Sequence, residues 1–134
     1  MTIEAIDHIN IRTDDVVGTS RFFADVLAME ICDAPGIPDR TLAAWLCDND
    51  GRAVIHLGTA DVCYPCEQEV PVNPTGSGRI HHVAFRCSGY KAMTQKLTAQ
   101  GRDFQFNLVE GVGLRQLFLS EPNGILLELN FFGD

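Results

Sequence analysis

The sequence predicts an α+β protein built from two βαβββ modules. Three observations carry that expectation: a duplicated strand that bears histidine, an amphipathic helix after each copy, and three strand-like runs after each helix. Residues 6–12 read Ile6-Asp7-His8-Ile9-Asn10-Ile11-Arg12, and residues 80–86 read Ile80-His81-His82-Val83-Ala84-Phe85-Arg86. Laid on one another, Ile6 meets Ile80, His8 meets His82 and Arg12 meets Arg86. Side chains two apart on a strand share a face. His8, Asn10 and Arg12 therefore point one way, as do His82, Ala84 and Arg86. The opposite face is apolar in both copies, with Ile9 and Ile11, then Val83 and Phe85.

Internal repetition of this kind is the first signature to seek in a chain. In the first half the strand covers about residues 4–12. Thr13, Asp14 and Asp15 offer N-caps, and a helix runs to about Ala28 with Val16, Phe23 and Leu27 on one stripe. Strand-like runs follow near 29–34, 41–48 and 52–58, with Pro35, Gly36 and Pro38 separating the first two. In the second half the strand covers about 80–87. Ser88 is the cap candidate, a helix spans about 89–100 on a Tyr90, Met93, Leu97 stripe, and Gly101 ends it. Strands near 103–109, 114–120 and 124–132 complete the copy. Glu121-Pro122-Asn123-Gly124 forms a tight turn between the last two.

The domain organisation follows. One domain spans 1–134, with module one at about 1–58, a linker at about 59–79 and module two at about 80–134. The linker carries Pro71, Pro74, Gly76 and Gly78 and little periodicity. It includes Cys63-Tyr64-Pro65-Cys66, a C-x-x-C with no second pair to complete a four-thiolate zinc site, which reads as free thiols in a loop.

Bulk composition excludes several classes. The 134 residues carry a formal net charge of −8 with 21% charged and 46% hydrophobic residues. That balance argues against nucleic acid or an anionic membrane surface, both of which need clustered Lys and Arg. No run approaches the ~18 apolar residues of a bilayer span. No basic segment followed by an apolar stretch opens the chain, and five cysteines is an odd number. Both features fit a reducing cytoplasm.

The fourth strands complete a constellation. Val54-Ile55-His56-Leu57 matches Leu126-Leu127-Glu128-Leu129. With Ile55, Leu57, Leu127 and Leu129 facing the helices, His56 and Glu128 share the face of the two strand histidines. Three imidazoles and one carboxylate suit a borderline divalent cation: Fe, Mn, Zn, Ni or Co. A single polar-face histidine is more often a hydrogen-bonded core residue. A carboxylate among aliphatics, such as Glu128, needs a partner, and a metal or Arg is the natural one. Asn10, Arg12 and Arg86 share the histidine faces. Arg86 could clamp a substrate carboxylate or phosphate, whereas Arg12 reads better as a rim salt bridge. Gln116 and Phe118 have the parity of a site-facing pair before Glu128. Trp45 and Tyr90 could line a pocket but read more readily as core, and Arg115 reads as a solvated edge residue.

These segments resemble the vicinal oxygen chelate superfamily, which includes glyoxalase I, extradiol dioxygenases and the bleomycin resistance proteins. The resemblance rests on Ile6-Asp7-His8-Ile9, Arg21-Phe22-Phe23-Ala24-Asp25-Val26-Leu27, His82-Val83-Ala84-Phe85, and Glu121-Pro122-Asn123-Gly124 leading to Glu128. It implies two βαβββ modules paired into a cupped mixed β-sheet, a homodimer, a small-molecule substrate, and metal ligands at His8, His56, His82 and Glu128. Strand parity, rather than the resemblance, puts Asn10, Arg86, Gln116 and Phe118 toward the substrate, and Glu128 and His56 are the expected catalytic residues. Ring-cleaving dioxygenases hold Fe(II) with two histidines and one carboxylate, matching His8, His82 and Glu128. His56 is then a fourth ligand or an acid–base group beside them. Bacterial glyoxalase I usually has a carboxylate where this chain has His56, so only Glu128 could act as its base. An extradiol-dioxygenase-like oxidoreductase is the first expectation and a glyoxalase-type lyase or isomerase the second. A non-catalytic binding or resistance protein is the third, although bleomycin-binding relatives lack the metal ligands.

Overall fold

Two successive βαβββ units contain the strands and helices of the described residues, 1–62, 80–111 and 113–133, in a computed structural model. The chain divides into two compact units, one ending and the other beginning between residues 62 and 80. The Cys63–Cys66 motif and nearly all of the expected linker lie outside the described residues. No helix of the described residues is long and apolar enough to cross a membrane.

The first unit runs β1 (Ile9–Arg12), α1 (Val16–Leu27), β2 (Glu30–Cys32), β3 (Ala43–Cys47) and β4 (Ala53–Gly58). Its sheet order is β1-β4-β3-β2, with β1 parallel to β4 and the other pairs antiparallel. α1 starts where Asp15 turns its carboxylate back to accept the Gly18 N–H at 2.8 Å. A side chain at Gly18 would meet that carboxylate, so Asp15 would have to shift to keep the cap. The helix ends on Ala28, which adopts a left-handed conformation (φ 56°) and donates its N–H to the Phe23 carbonyl. Val16, Phe22, Phe23 and Val26 are buried, mainly toward β3. Each contributes on the order of 1.5–3 kcal/mol by leaving water.

The second unit repeats the plan: β5 (Val83–Cys87), α2 (Tyr90–Ala99), β6 (Gln105–Val109), β7 (Leu114–Ser120) and β8 (Leu126–Phe132), in sheet order β5-β8-β7-β6. α2 ends as expected at Gly101. Gly101 N–H bonds to Thr98 O and Arg102 N–H to Leu97 O, each at 3.0 Å, the paired bonds of a Schellman turn. Leu97, Leu117, Leu119, Leu127, Leu129 and Phe131 are buried in this unit.

Three expectations are corrected. The N-cap of α2 is Gly89 (φ 84°), not Ser88; the chain enters the helix through a left-handed residue that glycine alone adopts freely, and no side chain caps it. Arg115 is half-buried, with its guanidinium 5.1 Å from the Tyr90 ring centroid, rather than solvated at an edge. Its parity with Leu117 puts it on the helix side of β7, where Tyr90 also meets Phe106 and Phe131. Finally, β1 and β5 start later than expected. Ile9 pairs with Ile55 and Val83 with Leu127, so residues before 7 fall opposite the turn ahead of β4, and residue 80 opposite the turn at Gly124. Without strand to pair with, Ile6 and Ile80 stay exposed, and His8 and His82 stand just ahead of their strands.

Candidate functional site

Parity was the sequence argument for His56 and Glu128, and the sheet register carries it. In the first unit a row crosses the sheet from Cys32 to Trp45 to His56 to Asn10. In the second the equivalent row runs Gln105, Phe118, Glu128, Ala84. Ile55 and Leu57, flanking His56, are fully buried, as are Leu127 and Leu129 flanking Glu128. The apolar neighbours anchor each strand on the helix side and turn the polar residue between them to the other face.

Each unit then brings a histidine from ahead of its first strand onto that polar residue. In the first unit His8 stacks on His56, with centroids 3.8 Å apart and planes 15° apart. Trp45 covers the second face of His56 at 4.0 Å and 4°. In the second unit His82 Nε2 lies 3.1 Å from Glu128 Oε2. The same two positions of the repeat thus hold a contacting pair of donor side chains in both copies.

The pairs are positioned by different physics. Glu128 is held by hydrogen bonds: its Oε1 accepts from Gln116 Nε2 and Asn130 Nδ2, both at 2.8 Å. Gln116 Nε2 also meets Asn130 Oδ1 at 3.0 Å, and Asn107 Nδ2 donates to Gln116 Oε1 at 2.7 Å. This ladder from β6 through β7 to β8 leaves Oε2 facing His82. At the equivalents of Asn130 and Gln116 the first unit has Gly58 and Ala43. No amide ladder is possible there, and rings hold His56 instead.

Ring nitrogens are fixed in turn. His56 Nε2 is 3.1 Å from the Ala53 carbonyl, which can only accept, so Nε2 carries the proton and the Nδ1 lone pair remains. Burial foremost, then the neighbouring His8, holds the His56 pKa below its ordinary 6.5 and keeps the ring neutral at pH 7. His8 Nδ1 is 2.6 Å from Asp7 Oδ2, which leaves His8 Nε2 available. The His8 hydrogen bond lowers the Asp7 carboxyl below its usual range. His82 Nδ1 meets His81 Nδ1 at 3.0 Å.

The remaining expected residues are placed as follows. Asn10 is exposed in register with His56. Arg86 is exposed with its guanidinium 4.6 Å over the Phe132 ring. Phe118 is half-buried directly across from Glu128. Arg12 donates to the Thr59 and Val62 carbonyls at 3.0 and 2.9 Å. Sequence reasoning missed Asp7, His81, Asn107 and Asn130 as partners. Asn130 was detectable, since it lies two residues beyond Glu128 on the same face.

Among the described residues, no three His, Cys, Asp or Glu side chains are grouped closely enough to hold a metal. His82 and Glu128 nevertheless bring together two donor types that divalent ions take, an imidazole nitrogen and a carboxylate oxygen, 3.1 Å apart. An open recess of about 400 Å³ beside the first turn of α2, lined by Gly89, Tyr90, Lys91, Ala92 and Gln95, holds no carboxylate or imidazole.

Solved structures match this architecture over the full chain. A virulence protein from Salmonella typhimurium superposes with a TM-score of 0.74 at 20% identity, covering 98% of this chain and 99% of that one. A glyoxalase/dioxygenase from Nostoc punctiforme gives 0.72 at 16% identity, over 97% and 92%. The chain has the glyoxalase/dioxygenase fold. A lactoylglutathione lyase from Agrobacterium tumefaciens shares it with a TM-score of 0.66 at 14% identity, over 98% and 96%. No protein-family model matches the chain, and no curated protein matches it in sequence. The resemblance to the vicinal oxygen chelate superfamily therefore holds at the level of fold. Activities within this fold differ, and the side chains of the site decide among them.

Proposed function

We propose that the protein is a divalent-metal-dependent enzyme that acts on a small oxygen-chelating substrate, with extradiol-dioxygenase-like ring cleavage as its reaction. The observation that carries the reading is the repeated pair, His8 with His56 and His82 with Glu128, at equivalent positions of the two units. In this reading His8 Nε2, His82 Nε2 and Glu128 Oε2 hold the ion. When bound, it would supply Lewis acidity and, as iron, dioxygen activation.

His56 takes a different part from the other three. An imidazole nitrogen donates through a lone pair in the plane of its ring. The His8 and His56 rings are stacked nearly parallel, so their lone pairs run side by side rather than converging. The stack therefore favours His56 as the acid–base group. Its neutral ring, with Nδ1 unprotonated, is ready to take a proton from a substrate hydroxyl. Asp7 and the Gln116–Asn130 amides orient His8 and Glu128, as ligand-orienting partners do. Every polar group of Gln116 is engaged in the ladder, which assigns it to holding Glu128 rather than substrate. Trp45 and Phe118 supply apolar surface beside His56 and Glu128, and Arg86 offers a cation to an anionic substrate group. A homodimer belongs to the same reading. Phe106 and Leu108 support it, both exposed on β6, the last strand of its sheet.

The test is metal content and oxygen uptake. Protein purified without chelator should carry one iron or manganese per chain, and a catechol should drive dioxygen consumption. His8→Ala, His82→Ala and Glu128→Gln should each lower metal content. His56→Ala should keep the metal and lose turnover. Stoichiometric metal in a variant lacking both His82 and Glu128 would overturn the assignment. Isomerisation of a hemithioacetal without oxygen uptake would move it to the glyoxalase-type reaction, with Glu128 as base.

A further inference from the structure

Two thiols meet on the first sheet. Cys32 on β2 and Cys47 on β3 place their sulfurs 3.1 Å apart, inside van der Waals contact and about 1 Å beyond a bonded S–S distance of about 2 Å. Both are free cysteines in the reduced chain. They are diagonal neighbours across an antiparallel pair, since Cys32 lies opposite Trp45 and Cys47 opposite Glu30. Diagonal positions are ordinarily about 7–8 Å apart between Cα atoms, a wide span for a disulfide. A register shift between Leu46 and Cys47 on the β4 side interrupts the regular ladder there. Bulges of this kind re-aim the adjacent side chain.

We propose that Cys32 and Cys47 form a redox site, in which a low-molecular-weight disulfide oxidant converts the two thiols to an intrachain disulfide stapling β2 to β3. The chemistry is ordinary thiol–disulfide exchange. Cys32, the more exposed of the two, attacks one sulfur of oxidised glutathione as thiolate. The glutathione S–S bond breaks, one reduced glutathione leaves, and a mixed disulfide remains on Cys32. Cys47 then loses its proton to solvent and attacks the Cys32 sulfur, expelling the second glutathione as thiolate. Two electrons pass from the protein to the oxidant, and one S–S bond replaces another.

Cys47 is nearly buried, and its thiol is pushed up to about 11, chiefly by its hydrogen bond with Cys32. That order of reactivity puts Cys32 first and makes Cys47 the resolving thiol. In a reducing compartment such bonds are transient and sensing rather than structural. The staple is next to the candidate site: Cys32 is the register partner of Trp45, which stacks on His56. Pulling the sulfurs together strains the strand that carries Trp45.

The sequence supplies a clean readout. Trypsin cuts after Arg21, Arg40 and Arg52, which puts Cys32 in peptide 22–40 and Cys47 in peptide 41–52. Trp45 is the single tryptophan. The full chain, incubated with excess oxidised glutathione and then alkylated, should yield these peptides as a linked pair. The pair should weigh two hydrogens less than the sum and separate with dithiothreitol. Trp45 emission should change with the same time course. Cys63→Ser/Cys66→Ser should keep both signals, and Cys32→Ser should lose both. Recovery of the two peptides unlinked, or each carrying its own glutathione, would overturn the proposal. So would an emission change that persists in Cys32→Ser.

Discussion

Glu128 divides its two oxygens between two tasks: Oε1 takes amide N–H bonds from Gln116 and Asn130, and Oε2 faces His82 Nε2 at 3.1 Å. The first set of bonds fixes the carboxylate plane, so the second oxygen is delivered in one orientation. If Glu128 ligates a metal, removing its orienting amide costs affinity without touching a ligand. Gln116→Ala should therefore weaken metal binding by about 10–100-fold. Asn107→Ala, one step further along the ladder, should weaken it less. Competition against a chelator of known affinity reads both, and unchanged affinity in Gln116→Ala would refute the ladder's role.

The sequence was informative wherever a pattern repeats with a fixed period. Alternation along 54–57 and 126–129 located His56 and Glu128, because buried Ile55, Leu57, Leu127 and Leu129 leave those two only one face to occupy. Duplication gave the element order, since each copy constrains the reading of the other. What stayed hidden depends on register. The Asn107–Gln116–Asn130 ladder exists because β6, β7 and β8 align at those residues, and alternation alone permits many alignments. The stacking of Trp45 on His56 is hidden for the same reason. The late starts of β1 and β5 follow from where the partner strands begin, a tertiary fact that an apolar Ile6 or Ile80 does not announce. Gly89 displaced Ser88 as a cap because entry to α2 is set by backbone handedness rather than by a side-chain acceptor.

Ala28 carries backbone strain that a single substitution relieves. It is the one described non-glycine residue with positive φ, at 56°, where it closes α1. Left-handed backbone costs an L-residue about 1–2 kcal/mol, partly offset in the unfolded chain by glycine's greater freedom. Ala28→Gly should raise unfolding free energy by about 0.5–1 kcal/mol, and Ala28→Val should lower it. Urea denaturation at pH 7 measures both, and a destabilised glycine variant would contradict the cap geometry.

Acid should act partly through Asp48, at the turn joining β3 to β4. Its carboxylate accepts the Arg52 and Asp50 N–H groups at 2.9 and 3.0 Å and the Arg52 guanidinium at 2.9 Å. The backbone bond from Arg52 comes first in holding its pKa below 3.8. A carboxyl depressed in the folded state favours folding above its unfolded pKa and loses that contribution as pH falls through the folded value. Wild type should thus exceed Asp48→Asn in stability at pH 7. The gap should close below pH 3.8, as protonated Asp48 comes to resemble the amide. Parallel unfolding midpoints across that range would show that the turn does not depend on the charge.

The turn feeding β8 depends on one carboxylate. Glu121 is 2% exposed, and its Oε1 accepts the Asn123 and Ile125 N–H groups at 2.6 and 3.0 Å while Oε2 accepts Asn123 Nδ2 at 2.8 Å. The main chain closes the same turn, with Gly124 N–H on the Glu121 carbonyl and Glu121 N–H on that of Ile125. Glu121→Ala removes the acceptor for two backbone N–H groups in a part-buried turn. Each unsatisfied donor costs about 1–3 kcal/mol, so the variant should lose on the order of 2–4 kcal/mol. Glu121→Gln keeps one acceptor oxygen and should fall between. A Glu121→Ala protein within about 0.5 kcal/mol of wild type in chemical denaturation, the range of a neutral surface change, would mean that water replaces the carboxylate. If the larger loss is found, β8 and Glu128 on it inherit their position from a side chain seven residues upstream that touches neither substrate nor metal.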